Sequence, residues 1–210
     1  MSRLVVDPER FADDALEPMA ARGMGAVYTA TTEGAPLRIG APASRRADLL
    51  DRFYEPHHAE LQTAVETVLD ATGRCLIIDA HSFPSRPLPC DLDQNPVRPD
   101  VCIGTDPFHT PVQLAVDAAA GFAALGLEVA IDRPYSGSIV PTRWHQTDER
   151  VRSVMIEVNR RLYMDPATGE KSAEFSQTLA VVRSVLTTLI GEHSSMAGGT
   201  PPSKAGDPWC

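Results

Sequence analysis

The stretch Cys75-Leu76-Ile77-Ile78-Asp79-Ala80-His81-Ser82-Phe83-Pro84-Ser85 decides how this chain is read. A short apolar run ending in Asp-Ala-His-Ser, then a proline-bearing turn, predicts a buried strand over 75–79 that delivers an imidazole at its C-terminal edge. Open α/β sheets place ligands and catalytic groups at that edge. Asp79 precedes His81 by two residues, so on a strand both side chains leave the same face. A second strand-like run, 153–158, carries Glu157 between Ile156 and Val158. Burying that carboxylate unpaired costs roughly several kcal/mol unless a cation lies beside it; the competing reading turns it to solvent from an amphipathic strand. One histidine and one glutamate on two buried strands are the minimum of a metal-assisted hydrolase.

Outward from this core, apolar residues from Leu49 to Leu69 recur at spacings of three and four, predicting helix over 44–72. Pro56 should kink or divide it, and Gly73 should cap it. Residues 82–100 form a long loop rich in Pro, Asp and Arg, a length that often marks function. Further strands are expected at 100–104 and 127–131, and helices at 111–125 and 174–192. Before these, 26–29 is a weak strand candidate and 11–19 an acidic short helix or ordered loop. Strands alternating with helices predict a three-layer α/β/α domain over 1–193, with a disordered tail over 194–210.

A length of 210 residues suits one domain. The net charge of −9 argues against nucleic acid as a partner. Only Lys171 and Lys204 are lysines; the other basic residues are arginines scattered along the chain. The four cysteines show no CxxC spacing, so a reducing cytoplasm is expected. No apolar run approaches membrane-spanning length, and no membrane partner is expected. HExxH, GxSxG, P-loop and GxGxxG elements are all missing from the sequence.

Other residues that can carry chemistry are fewer. Arg10 can fork a substrate carboxylate or simply pair with Asp7 or Asp13. Arg133-Pro134-Tyr135-Ser136-Gly137 sets a cation, a phenol and a flexible glycine after a strand. His57 and His58 share a helical face as packing or capping groups, and His109 and His145 are second-rank candidates in loops.

Taken together, six stretches resemble the N-formylglutamate amidohydrolase family, zinc hydrolases with a zinc carboxypeptidase-like fold. They are Ser2–Phe11, Tyr54-Glu55-Pro56-His57-His58, Asp79–Pro84, Arg98-Pro99-Asp100, Arg133–Gly137 and Ile156–Met164, in family order. The resemblance implies a mixed, mostly parallel sheet and Zn²⁺ as cofactor, with His81 as a metal ligand. It makes Glu157 the general base that takes a proton from water and hands it to the leaving amine, and Arg10, Arg133 and Tyr135 the substrate contacts. Two positions depart from the family: Glu9 replaces the asparagine of its Asp-x-Asn-Arg-like stretch, and Asp132 replaces the asparagine before Arg-Pro-Tyr. Family members also begin with a Pro-His-Ser-Gly segment and a later acidic residue that supply two zinc ligands. This chain starts at the stretch that follows them, so it is expected to lack the N-terminal strand, with only Asp13, Asp14 and Glu17 as carboxylates nearby.

The reading is a cytoplasmic zinc-dependent amidohydrolase of the histidine-degradation type. It would split N-formyl-L-glutamate, or a related N-acyl amino acid or peptidoglycan amide, into acid and amine. The alternative is an N-terminally truncated, catalytically impaired remnant that binds an acidic small molecule or a protein partner.

Overall fold

The computed structural model describes residues 2–38 and 43–194. Its framework is a four-stranded mixed sheet of β1 (Cys75–Phe83), β2 (Val101–Gly104), β3 (Val129–Ile131) and β4 (Val151–Asn159), in the order β1-β4-β2-β3. β1 lies parallel to β4 and β3 parallel to β2, while β2 runs antiparallel to β4. The central strands are the apolar ones: all four residues of β2 are buried, and only Arg152 and Val158 of β4 are not. The strands expected at 75–79 and 127–131 lie at the two edges of the described sheet. Burial alternates imperfectly along β1, and Ala80 is exposed.

Among the described residues four α-helices complete the layers: α1 (Ala43–Leu49), α2 (Glu55–Thr72), α3 (Val112–Ala124) and α4 (Phe175–Ser194). α3 and α4 cover one face, where Leu114, Ala118, Phe122, Val185 and Leu189 pack on Val101, Ile103, Val154 and Ile156. On the other face Val65 of α2 packs with Cys75, Trp144 and Val151. This is the expected three-layer α/β/α arrangement, and the closing helix lies within a residue or two of its expected bounds. Ser194 ends the described residues, so the tail expected beyond it lies outside them.

Local chemistry explains several boundaries. Pro56 does not break the helical run. A π-helical turn, Leu50–Tyr54, precedes it and carries the chain into α2, with the Glu55 N–H donating to the Leu50 carbonyl. Gly73 caps α2 at φ 77° and donates to the Leu69 carbonyl. β1 runs beyond the expected 79 because its pairing with β4 continues to Phe83↔Asn159. His81 therefore lies inside the strand rather than at its exit.

The N-terminal segment differs most from expectation. No helix forms over 11–19, because Asp13 accepts from the Ala15 N–H at 2.9 Å and Glu17 from the Met19 N–H at 2.9 Å. Such side-chain bonds compete with a helical ladder. Residues 26–29 form no strand either: the Ala26 carbonyl accepts from Asp7 N–H, and Thr29 N–H turns back to Gly23. The segment is held as an ordered loop by Val6, Ala26 and Val27 packed on Leu49 and Tyr54.

Gly104 shows how tightly the sheet closes over the site. A Cβ there would meet the Met155 methyl and lie 2.6 Å from the Gly137 carbonyl oxygen. The Gly104→Ala chain is therefore expected to lose about 1–3 kcal/mol of stability, measured by urea unfolding. An unchanged midpoint would show that the 137–140 loop yields freely.

Candidate active site

The β1–β4 register makes His81 the partner of Glu157, and the β2–β4 register sets Cys102 on the other side of the same glutamate. Partnered residues on neighbouring strands project from the same face, so the three side chains form a row across the sheet. Asp79 joins the row two residues upstream, its Oδ1 2.6 Å from His81 Nε2. Its other oxygen accepts from the Ile139 N–H at 3.1 Å, which fixes the carboxylate's direction.

The N-terminal segment folds over this row. Asp7 is fully buried and organises it. Tyr28 Oη donates to Asp7 Oδ2 at 2.6 Å, Glu9 N–H donates to Oδ1 at 3.2 Å, and Arg3 and Arg10 each lie 3.7 Å away. Held this way, Glu9 Oε2 comes within 3.6 Å of His81 Nε2, and Arg3 donates to His81 Nδ1 at 3.0 Å. Glu9, Asp79 and His81 each offer a ligand atom, all within 4.8 Å of one another.

Charge in this site is finely opposed. Burial works against a charged imidazole, but hydrogen bonds to Asp79 and Glu9 push the His81 pKa up to about 10. An imidazolium carries hydrogen on Nδ1 and cannot accept there. While Arg3 donates to Nδ1 the ring is neutral with its proton on Nε2, and a second proton requires Arg3 to swing away. Glu157 is pushed up to about 7 by burial, opposed by Arg3 and, when its ring is charged, by His81. It is 8% exposed, and its Oε2 is buried without a hydrogen-bond partner.

A cleft of about 570 Å³ follows the open side of β1 from Glu157 to the apolar face of α4. Arg3, His81 and Arg160 line its polar end, and Leu179 and Val182 its apolar end. Arg160 is fixed by Ser82, donating to Oγ at 3.2 Å and to the carbonyl at 3.1 Å.

Of the residues singled out from sequence, His81 and Glu157 stand together, and Asp79 shares their face as expected. Arg10 lies between Asp7 and Glu17 in the ion-pair role, its Nε 3.7 Å from Asp7 Oδ2 and without a closer hydrogen bond. Tyr135 stacks edge-on against Phe83 and donates to Asp91 at 3.2 Å; Arg133 is exposed. His58 bonds the Pro8 carbonyl at 2.9 Å, and buried His109 is satisfied by Val151 O and Gln146 N. Of the carboxylates near the N-terminus, Asp14 pairs with Arg46 and Glu17 with Arg10, Asp13 accepts from the Ala15 N–H, and Glu9 reaches His81. The one hint in the sequence was Glu9 standing where the family carries asparagine.

A high Glu157 pKa has a measurable consequence. Between its ordinary value of 4.5 and about 7 the folded chain holds a proton that the unfolded chain releases, so this group's stabilisation is lost as pH rises through 7. Glu157→Gln is expected to stabilise the metal-free protein by about 1–3 kcal/mol at pH 8 and to leave it nearly unchanged at pH 4. Equal effects at both pH values would contradict the buried-carboxylate account.

The sequence model of the N-formylglutamate amidohydrolase family matches residues 1–164. An N-formylglutamate deformylase of Pseudomonas putida is 25% identical over 170 residues, which span 78% of this chain and 62% of that protein. The chain thus corresponds to about three-fifths of the length of that curated relative. Among solved structures, the N-formylglutamate amidohydrolase of Ralstonia eutropha JMP134 superposes with a TM-score of 0.74 at 24% identity, covering 91% of this chain and 74% of that one. A gene product of Agrobacterium tumefaciens superposes at 0.65 with 18% identity, covering 92% and 69%. At these identities the two structures speak to the fold.

Proposed function

Because the chain belongs to the N-formylglutamate amidohydrolase family, we propose that it is a zinc-dependent amidohydrolase acting on N-formyl-L-glutamate or a related N-acyl amino acid. The observation that carries this reading is the pairing of His81 with Glu157, a buried carboxylate whose free oxygen has no partner. The donor set around His81 is one imidazole nitrogen with carboxylate oxygens, the nitrogen and oxygen chemistry that zinc takes. His81 would hold the ion, which when bound supplies Lewis-acid polarisation of the amide carbonyl and acidifies water.

Glu157 suits the proton work. A general base is most effective with a pKa near the working pH, and burial brings Glu157 to about 7. Its free Oε2 accepts the proton of the attacking water, and the same group returns it to the departing amine nitrogen. Amide hydrolysis then yields formate and the free amino acid. Burial on the sheet keeps bulk water from the base, so its proton goes to the amine. Arg3 and Arg160 give the cleft a cationic wall for an acidic substrate. Arg10, Arg133 and Tyr135 are the further substrate contacts in this reading.

The test is release of formate from N-formyl-L-glutamate by the purified chain with added zinc. Turnover is expected, and His81→Ala and Glu157→Gln should each lower kcat/KM by about 100-fold or more. Turnover that survives both substitutions would sink the mechanism. Binding of glutamate without any turnover would instead favour a remnant that binds acidic ligands.

A further inference from the structure

We propose that Glu9 and Asp79 complete the metal site of this chain with His81, and that Arg3 competes with the metal for the His81 ring. The inference rests on the hydrolase reading for its purpose, but its test measures metal binding without substrate.

Distances fit a small divalent ion. Zinc bonds of about 2.0–2.2 Å place neighbouring donors of a tetrahedron about 3.4 Å apart. Glu9 Oε2 already stands 3.6 Å from His81 Nε2. Asp79 Oδ1 stands 2.6 Å from it, a hydrogen-bond separation across a shared proton. Replacing that proton by a metal needs this pair to part by less than about 1 Å, a small rotation of Asp79. Both carboxylates are oriented by other bonds, Asp79 by the Ile139 N–H and Glu9 through the buried Asp7 turn. Orientation of ligands by surrounding hydrogen bonds is what metal sites require.

An independent observation points to something bound here. Glu157 is buried beside His81, yet its Oε2 has no donor. A buried acceptor of that kind is costly unless a bound species supplies the hydrogen. The second group of potential ligands, Asp117, Glu192 and His193, has no such companion among the described residues. There His193 simply bonds Asp117 at 3.1 Å between α3 and α4.

Arg3 sets the opposition. An imidazole that ligates through Nε2 keeps its proton on Nδ1, where Arg3 now donates. Arg3 must therefore leave before a metal enters; its side chain is half exposed, so solvent can take the guanidinium once it gives up its 3.7 Å pairing with Asp7. In the metal-free chain it faces the negative charge of Asp7, Glu9 and Glu157.

The experiment strips the full chain with a chelator, then measures Zn²⁺ affinity by competition with a chromophoric chelator and Co²⁺ binding by visible absorption. One ion per chain should bind at this site. His81→Ala should abolish it, Glu9→Gln and Asp79→Asn should each weaken it at least about tenfold, and Arg3→Gln should tighten it. His193→Ala should leave it unchanged. Should Asp79→Asn fail to fold, Glu9→Gln decides alone, since Glu9 lies at the surface of the site. No binding by the wild-type chain, or wild-type affinity in Glu9→Gln, overturns the assignment. Intact metal binding with no deformylation would overturn the substrate reading and leave the ligands in place.

Discussion

The parallel register of β1 on β4, from Cys75↔Val151 to Phe83↔Asn159, is the constraint on which the rest of the structure depends. It alone sets an imidazole beside a carboxylate on one face of the sheet. A slip of one residue would send His81 to the α4 face and Glu157 would lose its neighbour. The register is held from both faces: Ile156 and Val154 pack toward α3 and α4, while Cys75 and Val151 pack toward α2. Burying a carboxylate in the centre of an apolar sheet costs stability. Here that cost is partly offset by Arg3 and appears as a carboxyl whose pKa burial pushes up to about 7.

A second layer of the design is the N-terminal segment, which has almost no regular structure yet is firmly placed. Asp7 is its pivot. A fully buried carboxylate that collects Tyr28, two arginines and the Glu9 N–H can order a loop as well as a helix can. Through it, residues distant in sequence from β1 come to the histidine. The site thus takes Glu157 and Asp79 from the sheet, and Glu9 and Arg3 from the loop that Asp7 orders.

Much of this was legible in the sequence. The helical run into Gly73, the strand through His81, the helix after Pro111 and the strand with Glu157 are all strong local patterns. Asp79 and His81 could be placed on one face by the two-residue period alone. What could not be read were pairings between distant segments. Nothing local says that β4 rather than β1 is central, or that Ala26–Tyr28 would be buried without becoming a strand. Glu9 stood out only as a departure from the family's asparagine, because its approach to His81 depends on the buried Asp7 turn and the Asp7–Tyr28 bond, made across 21 residues of chain. Of the two readings of 11–19, short helix or ordered loop, the loop forms for a local reason, the side-chain bonds of Asp13 and Glu17 to the backbone.

The most direct measurement is a crystal structure of the zinc-loaded chain, with anomalous scattering recorded at the zinc edge. The account predicts one strong peak at bonding distance from His81 Nε2, on the face shared with Glu157, with Arg3 turned away from Nδ1. A peak at His193 with none at His81, or Arg3 still on the ring with zinc in excess, would contradict it.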